Sequence, residues 1–139
     1  MSTTLLRPTI ALVLWTFVMW AWMYVTRIPA IRRAGMKLDP DAPRGEQMST
    51  LPSVVRWKAD NYNHLFEQPT IFYATTISLA VMGADGALEA GLAWAYVALR
   101  VAHSVFQATV NKIEARFVLF FVSSLVLLAL AIRAALLLW

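Results

Sequence analysis

Pro8 to Thr26 reads PTIALVLWTFVMWAWMYVT, a run without a single charge. The hydrocarbon core of a bilayer is about 30 Å thick, and a helix of roughly 20 mostly apolar residues crosses it with its backbone satisfied internally. The run has that length. Three further stretches follow it. Gln68 to Ala84, extended towards the N-terminus by Leu65 and Phe66, is also uncharged. Ala87 to Ala108 is apolar apart from Glu89, Arg100 and His103, and Phe117 to Trp139 is apolar apart from Arg133. Most are too long for barrel strands and lack a strand's alternation. The pattern predicts an all-α integral membrane four-helix bundle of up-down topology. Residues 1–139 form one domain with spans at about 8–26, 65–84, 87–108 and 116–139.

Composition agrees. The chain of 139 residues is 60% hydrophobic and 14% charged, against about 45–50% and 25% in soluble domains. That apolar excess rules out a disordered tail or a nucleic-acid-binding module despite a net charge of +4. With no cysteine, disulfide scaffolds, thiolate metal sites and cysteine nucleophiles are excluded. Arg7 before the first apolar run suits a signal peptide, but the run is long for one. The flank VTRIPAIRR offers no small-x-small cleavage site, so an uncleaved helix is expected. Trp15, Trp20, Trp22 and Tyr24 on this helix read as interfacial anchors.

The connections are unequal. Residues 27–64 form a long polar loop, Asp85-Gly86 is a tight turn between spans two and three, and Thr109–Ala115 joins spans three and four. The long loop and the 3–4 connection with its edge hold nine of the twelve Lys and Arg residues. The positive-inside rule puts both on the cytoplasmic side and both termini outside.

Ionisable groups in or beside a span are costly unless paired, facing a cavity or near the surface. The second span enters with Asn61, Asn63, His64 and Glu67. The third carries Arg100, His103 and Gln107, and the fourth begins at Glu114 and Arg116. Arg100, His103 and Gln107 are spaced i, i+3, i+7 on one helix face, and Asn63 and Glu67 are spaced i, i+4. Glu89 and Arg133, near the opposite membrane face, are expected to reach water on their own. One bland reading pairs Arg100 with Glu67 as an ion bridge that fixes helix register. Two polar stripes plus Arg116 exceed what simple packing needs. Two histidines without a tight carboxylate cluster do not make a metal site. Guanidinium groups suit carboxylates and phosphates, a glutamate suits an ammonium and an amide suits a peptide backbone. Together they fit a small zwitterionic polycarboxylate.

NYNHLFEQPTIFY (61–73) and RVAHSVFQATVNKIEARF (100–117) resemble the MAPEG family, the membrane-associated proteins of eicosanoid and glutathione metabolism, and a divergent bacterial-type member of it. The resemblance covers nearly the whole chain. It implies a homotrimer binding glutathione as co-substrate in a cleft between subunits, beside a lipophilic small molecule taken from the bilayer. It places Arg27, Asn63, His64, Glu67, Arg100, His103 and Gln107 on glutathione, and makes Arg116 the residue that stabilises the thiolate. The sequence departs from the family pattern at three points. His64 stands where the family often has asparagine, Gln107 replaces a tyrosine, and Phe117 after Arg116 has no hydroxyl. Two functions follow as expectations: a glutathione transferase or peroxidase, or a non-catalytic structural or binding subunit of a membrane assembly.

Overall fold

The computed structural model describes residues 3–139; Met1 and Ser2, at the start of the expected domain, lie outside the described residues. It is helical throughout, with no strand among the described residues. The elements are α1 (Leu6–Arg33), α2 (Glu46–Ser49), α3 (Ser53–His64), α4 (Pro69–Val81), α5 (Ala87–Thr109) and α6 (Ile113–Leu138).

α1 and α6 are long and apolar enough to cross a membrane. α1 outlasts its apolar run, continuing past Thr26 and through Pro29. Its last turn carries Arg32 and Arg33, cations that complement the negative end of the helix dipole. Thr26 Oγ1 turns back onto the carbonyls of Trp22 and Met23.

Residues 27–64, expected as a loop, also contain α2 and all of α3. Polar composition hid α3. Its sequence SVVRWKADNYNH has no apolar stripe long enough to register, yet it turns Lys58, Ala59 and Asn61 inward. α4 has 13 residues, about 20 Å at 1.5 Å per residue, too short for the hydrocarbon core by itself. Pro69 opens it, and having no N–H it cannot continue the α3 ladder. The intervening residues tighten into a turn in which Phe66 N–H reaches Asn63 O and Glu67 N–H reaches His64 O.

α1 packs on α3, α4 and α5; α3 packs on α5; α6 packs on α4 and most extensively on α5. One core cluster gathers Leu12, Phe72, Leu79, Tyr96 and Leu130. A smaller one joins Met19, Leu65 and Ala108 at the α3 end. Dispersion and interhelical hydrogen bonds, rather than water exclusion, hold helices together in lipid. Accordingly the contacts carry polar staples: the Thr9 and Thr76 hydroxyls meet at 2.8 Å between α1 and α4.

Two sequence expectations about side chains change here. Trp15 and Trp22 are half-buried and held by other side chains rather than free on the surface. Trp15 Nε1 donates to Ser104 Oγ at 3.0 Å, and Trp22 lies 5.0 Å beneath Lys58 Nζ. Trp20 and Tyr24 stay exposed and pack edge to face. Glu89 and Arg133 are not independent. Arg133 donates from Nε and Nη2 to Glu89 Oε1 at 2.9 and 2.8 Å, tying α5 to α6.

Candidate functional site

α5 presents Tyr96, Arg100, His103, Ser104 and Gln107 on its buried face. Arg100 is fully buried. A guanidinium carries five N–H donors. Arg100 spends those of Nη2 on His64, at 3.2 Å to Nδ1 and 3.4 Å to the backbone oxygen. Its Nε and Nη1 are buried and have no partner. The face of the group lies over Phe120 of α6, 5.7 Å from the ring centroid. His103 sits beside it, its ring 5.3 Å from that of His64 and 6.1 Å from Phe120. His103 Nδ1 and Gln107 Oε1 are likewise buried and unpartnered.

The Arg100–Glu67 ion pair considered from sequence does not form. Glu67 lies in the turn after α3 with 69% of its side chain exposed, 3.8 Å from His64 Nδ1. Its position past the helix end takes it off the face it would share with Asn63. Arg100 therefore stands in the bundle without a carboxylate against it. Burial, followed by the charge of Arg100, holds the pKa of His64 below its ordinary 6.5. His64 is accordingly neutral at pH 7, and Nδ1 is free to accept from Arg100.

Arg116 occupies the first turn of α6, half-buried. Its Nη1 donates to Asn111 Oδ1 at 2.6 Å. Asn111 has φ +55°, a left-handed conformation that asparagine tolerates better than most side chains. The tight α5–α6 connection thus sets the arginine in place. The charge of Arg116 also contributes, as the smallest of several causes, to the low pKa of His64.

α3 divides the expected residues between two places. His64 faces Arg100. Asn63 is exposed and lines a separate concavity of about 370 Å³ together with Arg27 of α1, Arg44, Arg56 and Asp60. Within that group, Arg27 Nε is buried and unpartnered. The structure therefore brings together His64, Arg100 and His103, leaves Arg116 at their edge, and puts Arg27 and Asn63 in the groove.

Sequence reasoning missed several polar residues around the cluster. Ser104 Oγ receives two donors, Asn61 Nδ2 at 2.6 Å and Trp15 Nε1 at 3.0 Å, linking α1, α3 and α5. Tyr96 donates to Gln68 Oε1 at 3.2 Å, and Gln68 Nε2 donates to Ser124 Oγ at 2.7 Å. Ser104 and Tyr96 share the i, i+4 spacing with Arg100 and could have been found by extending that stripe. Lys58, read as one of the loop's topology-setting cations, is buried instead. Its Nζ donates to Val54 O at 2.9 Å and Ala108 O at 3.2 Å, closing the carboxyl end of α5. Burial lowers its pKa from 10.5. No group of three or more His, Cys, Asp or Glu side chains suited to a metal occurs among the described residues.

The MAPEG family model matches residues 5–136, nearly the whole chain. The chain belongs to the MAPEG family. It is a membrane protein of that family, and its MAPEG match takes in all six helices except the last residues of α6. No curated protein and no solved structure matches it.

Proposed function

We propose that this MAPEG protein is a glutathione-dependent membrane enzyme that conjugates or reduces apolar electrophiles drawn from lipid. One observation carries the reading: Arg100 is fully buried with Nε and Nη1 unpartnered and no carboxylate against it. A buried cation without a partner is expensive, and an anionic ligand would remove that cost. The neighbouring unpartnered atoms, His103 Nδ1 and Gln107 Oε1, offer a peptide ligand further hydrogen bonds. Glutathione, the co-substrate general in the family, supplies carboxylates, amides and a thiol.

In this reading Arg100 binds a ligand anion, His64 orients the guanidinium, and Arg116 favours the thiolate. A free thiol with pKa near 8.5 is mostly protonated at neutral pH, and a nearby guanidinium lowers that value. The assembly is a homotrimer whose subunits share the clefts. The chain crosses a bacterial inner membrane four times, with α4 and the residues flanking it, 65–84, serving the second crossing. Residues 27–64 lie in the cytoplasm and both termini outside.

A second reading, a non-catalytic MAPEG-fold subunit, draws on Phe117. It follows Arg116, is 65% exposed and has no hydroxyl to offer a thiolate. Equilibrium binding of glutathione to the detergent-purified protein, with and without Arg100→Ala, tests the ligand. Binding that Arg100→Ala abolishes supports it, and absence of binding to the wild type overturns it. Ultraviolet absorbance of the bound thiolate against pH, wild type beside Arg116→Ala, then separates the two readings. Identical titrations favour the non-catalytic subunit.

A further inference from the structure

The groove at the α3 end carries charge that the bundle itself does not balance. Arg56, Asp60 and Asn63 fall at i, i+4 and i+7 on α3, one face of that helix. Arg27 comes from α1 and Arg44 from the segment before α2. These five line a concavity of about 370 Å³, within the range of small-molecule sites. Three guanidinium groups meet one carboxylate there. No ion pair joins any of them among the described residues, where the ion pairs present are His64–Glu67 and Arg133–Glu89. Arg27 Nε is buried without a partner. Arg56 spends Nε on Leu51 O at 3.0 Å, which fixes the guanidinium and leaves both terminal nitrogens for a ligand.

Like charges converging on one concavity repel unless an anion lies between them. The side chains left uncommitted are therefore informative about that anion. Guanidinium forks match carboxylates in bidentate geometry, and Asp60 matches an ammonium. We propose that Arg44, Arg56 and Asp60 are ligand-recognition residues: the two arginines hold the α-carboxylate of the peptide co-substrate and Asp60 its α-ammonium, leaving the other carboxylate to Arg100. This assignment rests on the glutathione reading above and adds to it residues from a connection that reads, in sequence, as topology-setting charge. A bare phosphate or an acidic lipid headgroup would satisfy the arginines but would be repelled by Asp60. The three-to-one set of charges favours a ligand with more than one anionic group and one cationic group.

The test pairs changes in the protein with changes in the ligand. Glutathione, its dimethyl ester and N-acetylglutathione are titrated by calorimetry into detergent-purified wild type, Arg44→Gln, Arg56→Gln and Asp60→Asn. Arg44→Gln is the cleanest arm, because Arg44 is exposed and makes no hydrogen bond that shapes the connection. Loss of one charge-assisted contact is expected to weaken glutathione binding about tenfold or more. Esterification should weaken binding to wild type and weaken binding to Arg44→Gln by a smaller factor, because that variant has already lost one of the contacts the esters remove. N-acetylation should weaken binding to wild type and have little further effect on Asp60→Asn. Wild-type binding of glutathione with all three variants unchanged overturns the assignment and leaves the glutathione reading standing. No binding of glutathione to wild type removes both. Arg44→Gln and Arg56→Gln variants that bind glutathione normally but lose thermal stabilisation by phosphatidylglycerol also overturn it, in favour of a lipid headgroup.

Discussion

Arg100 Nη2 donates to both the ring Nδ1 and the backbone oxygen of His64, at 3.2 and 3.4 Å. One side chain thereby clamps α5 to the end of α3, and the clamp uses only one of the three guanidinium nitrogens. The other two are enclosed without partners. An arginine placed purely for packing would be poorly chosen here, since a fully buried cation costs more to desolvate than two hydrogen bonds to a neutral histidine return.

Replacing that cation should accordingly separate stability from binding. Arg100→Met keeps most of the volume and removes the charge. Its melting temperature in detergent is expected to equal or exceed that of the wild type, because uncompensated buried charge disappears. Glutathione binding is expected to fall at least tenfold. A fall of several degrees in melting temperature would mean that the two His64 contacts, and not a ligand, justify Arg100.

His64 makes the clamp pH-sensitive. Its pKa lies below the ordinary 6.5, chiefly through burial and then through the charge of Arg100. Between the folded and unfolded values the unfolded chain binds more protons, so stability rises with pH across that window and falls as pH drops below about 6.5. Melting temperature in detergent from pH 7.5 to 5 should decline. In His64→Gln, which retains a side-chain acceptor, the decline should be shallower. A slope unchanged by the substitution would assign it to other groups.

Ser104 is the junction of three helices. Its Oγ receives Asn61 Nδ2 and Trp15 Nε1, so Ser104→Ala leaves two donors unsatisfied in the interior. Each such buried donor costs about 1–3 kcal/mol. The variant is expected to melt lower by several degrees, and Trp15→Phe in the Ser104→Ala background should recover part of the loss. Near-additive losses in the double variant would show that the indole bond is not what Ser104 supports.

How far the sequence carries is visible at these residues. The long apolar runs of α1 and α6 are legible, because their length has one simple explanation in water or lipid. The stripe Arg100–His103–Gln107 is legible as well, because helical period alone puts those residues on one face. What the stripe faces is not. Its expected partner Glu67 falls past the end of α3, and the chain instead presents His64. α3 escaped notice because its inward face is Lys58, Ala59 and Asn61, a polar set that no apolar pattern reveals. Trp15 and Lys58 mislead for one reason: each has an amphipathic side chain whose type fits an interface equally well. Only tertiary contact with Ser104 or Ala108 decides where it goes.

The Glu89–Arg133 pair is asymmetric, with side-chain exposures of 5% and 38%. Arg133→Gln removes both charge-assisted hydrogen bonds from an enclosed carboxylate and is expected to be the costlier of the two changes. Glu89→Gln leaves a guanidinium that still reaches solvent, and the cost is expected to be about 1 kcal/mol. Gly86 adds a check, because a methyl group there would collide with Glu89 Oε2. Gly86→Ala should therefore destabilise the wild type more than it destabilises Glu89→Ala. Equal melting temperatures for Arg133→Gln and Glu89→Gln would contradict the asymmetry.

Asn111 offers a way to move Arg116 without removing it. The asparagine does two things: it adopts φ +55° in the α5–α6 connection, and its Oδ1 accepts from Arg116 Nη1 at 2.6 Å. Asn111→Gly keeps the backbone conformation, since glycine enters the left-handed region without a steric penalty, and it deletes only the acceptor. Stability should change by less than about 1 kcal/mol. Asn111→Val, which deletes the acceptor and also strains the turn, should cost more. If Arg116 must be aimed to stabilise a thiolate, Asn111→Gly is expected to raise the pKa of bound glutathione towards the free-thiol value near 8.5. Glutathione affinity measured well below that pH, where the thiol is protonated, should hardly change. Asn111→Asp should not mimic the wild type, because its carboxylate pairs with Arg116 and offsets the charge that the thiolate needs. The decisive measurement is thiolate absorbance against pH for wild type, Asn111→Gly and Arg116→Ala. A titration for Asn111→Gly that overlays the wild type, while Arg116→Ala shifts, would show that the charge of Arg116 acts without being held in place by the connection.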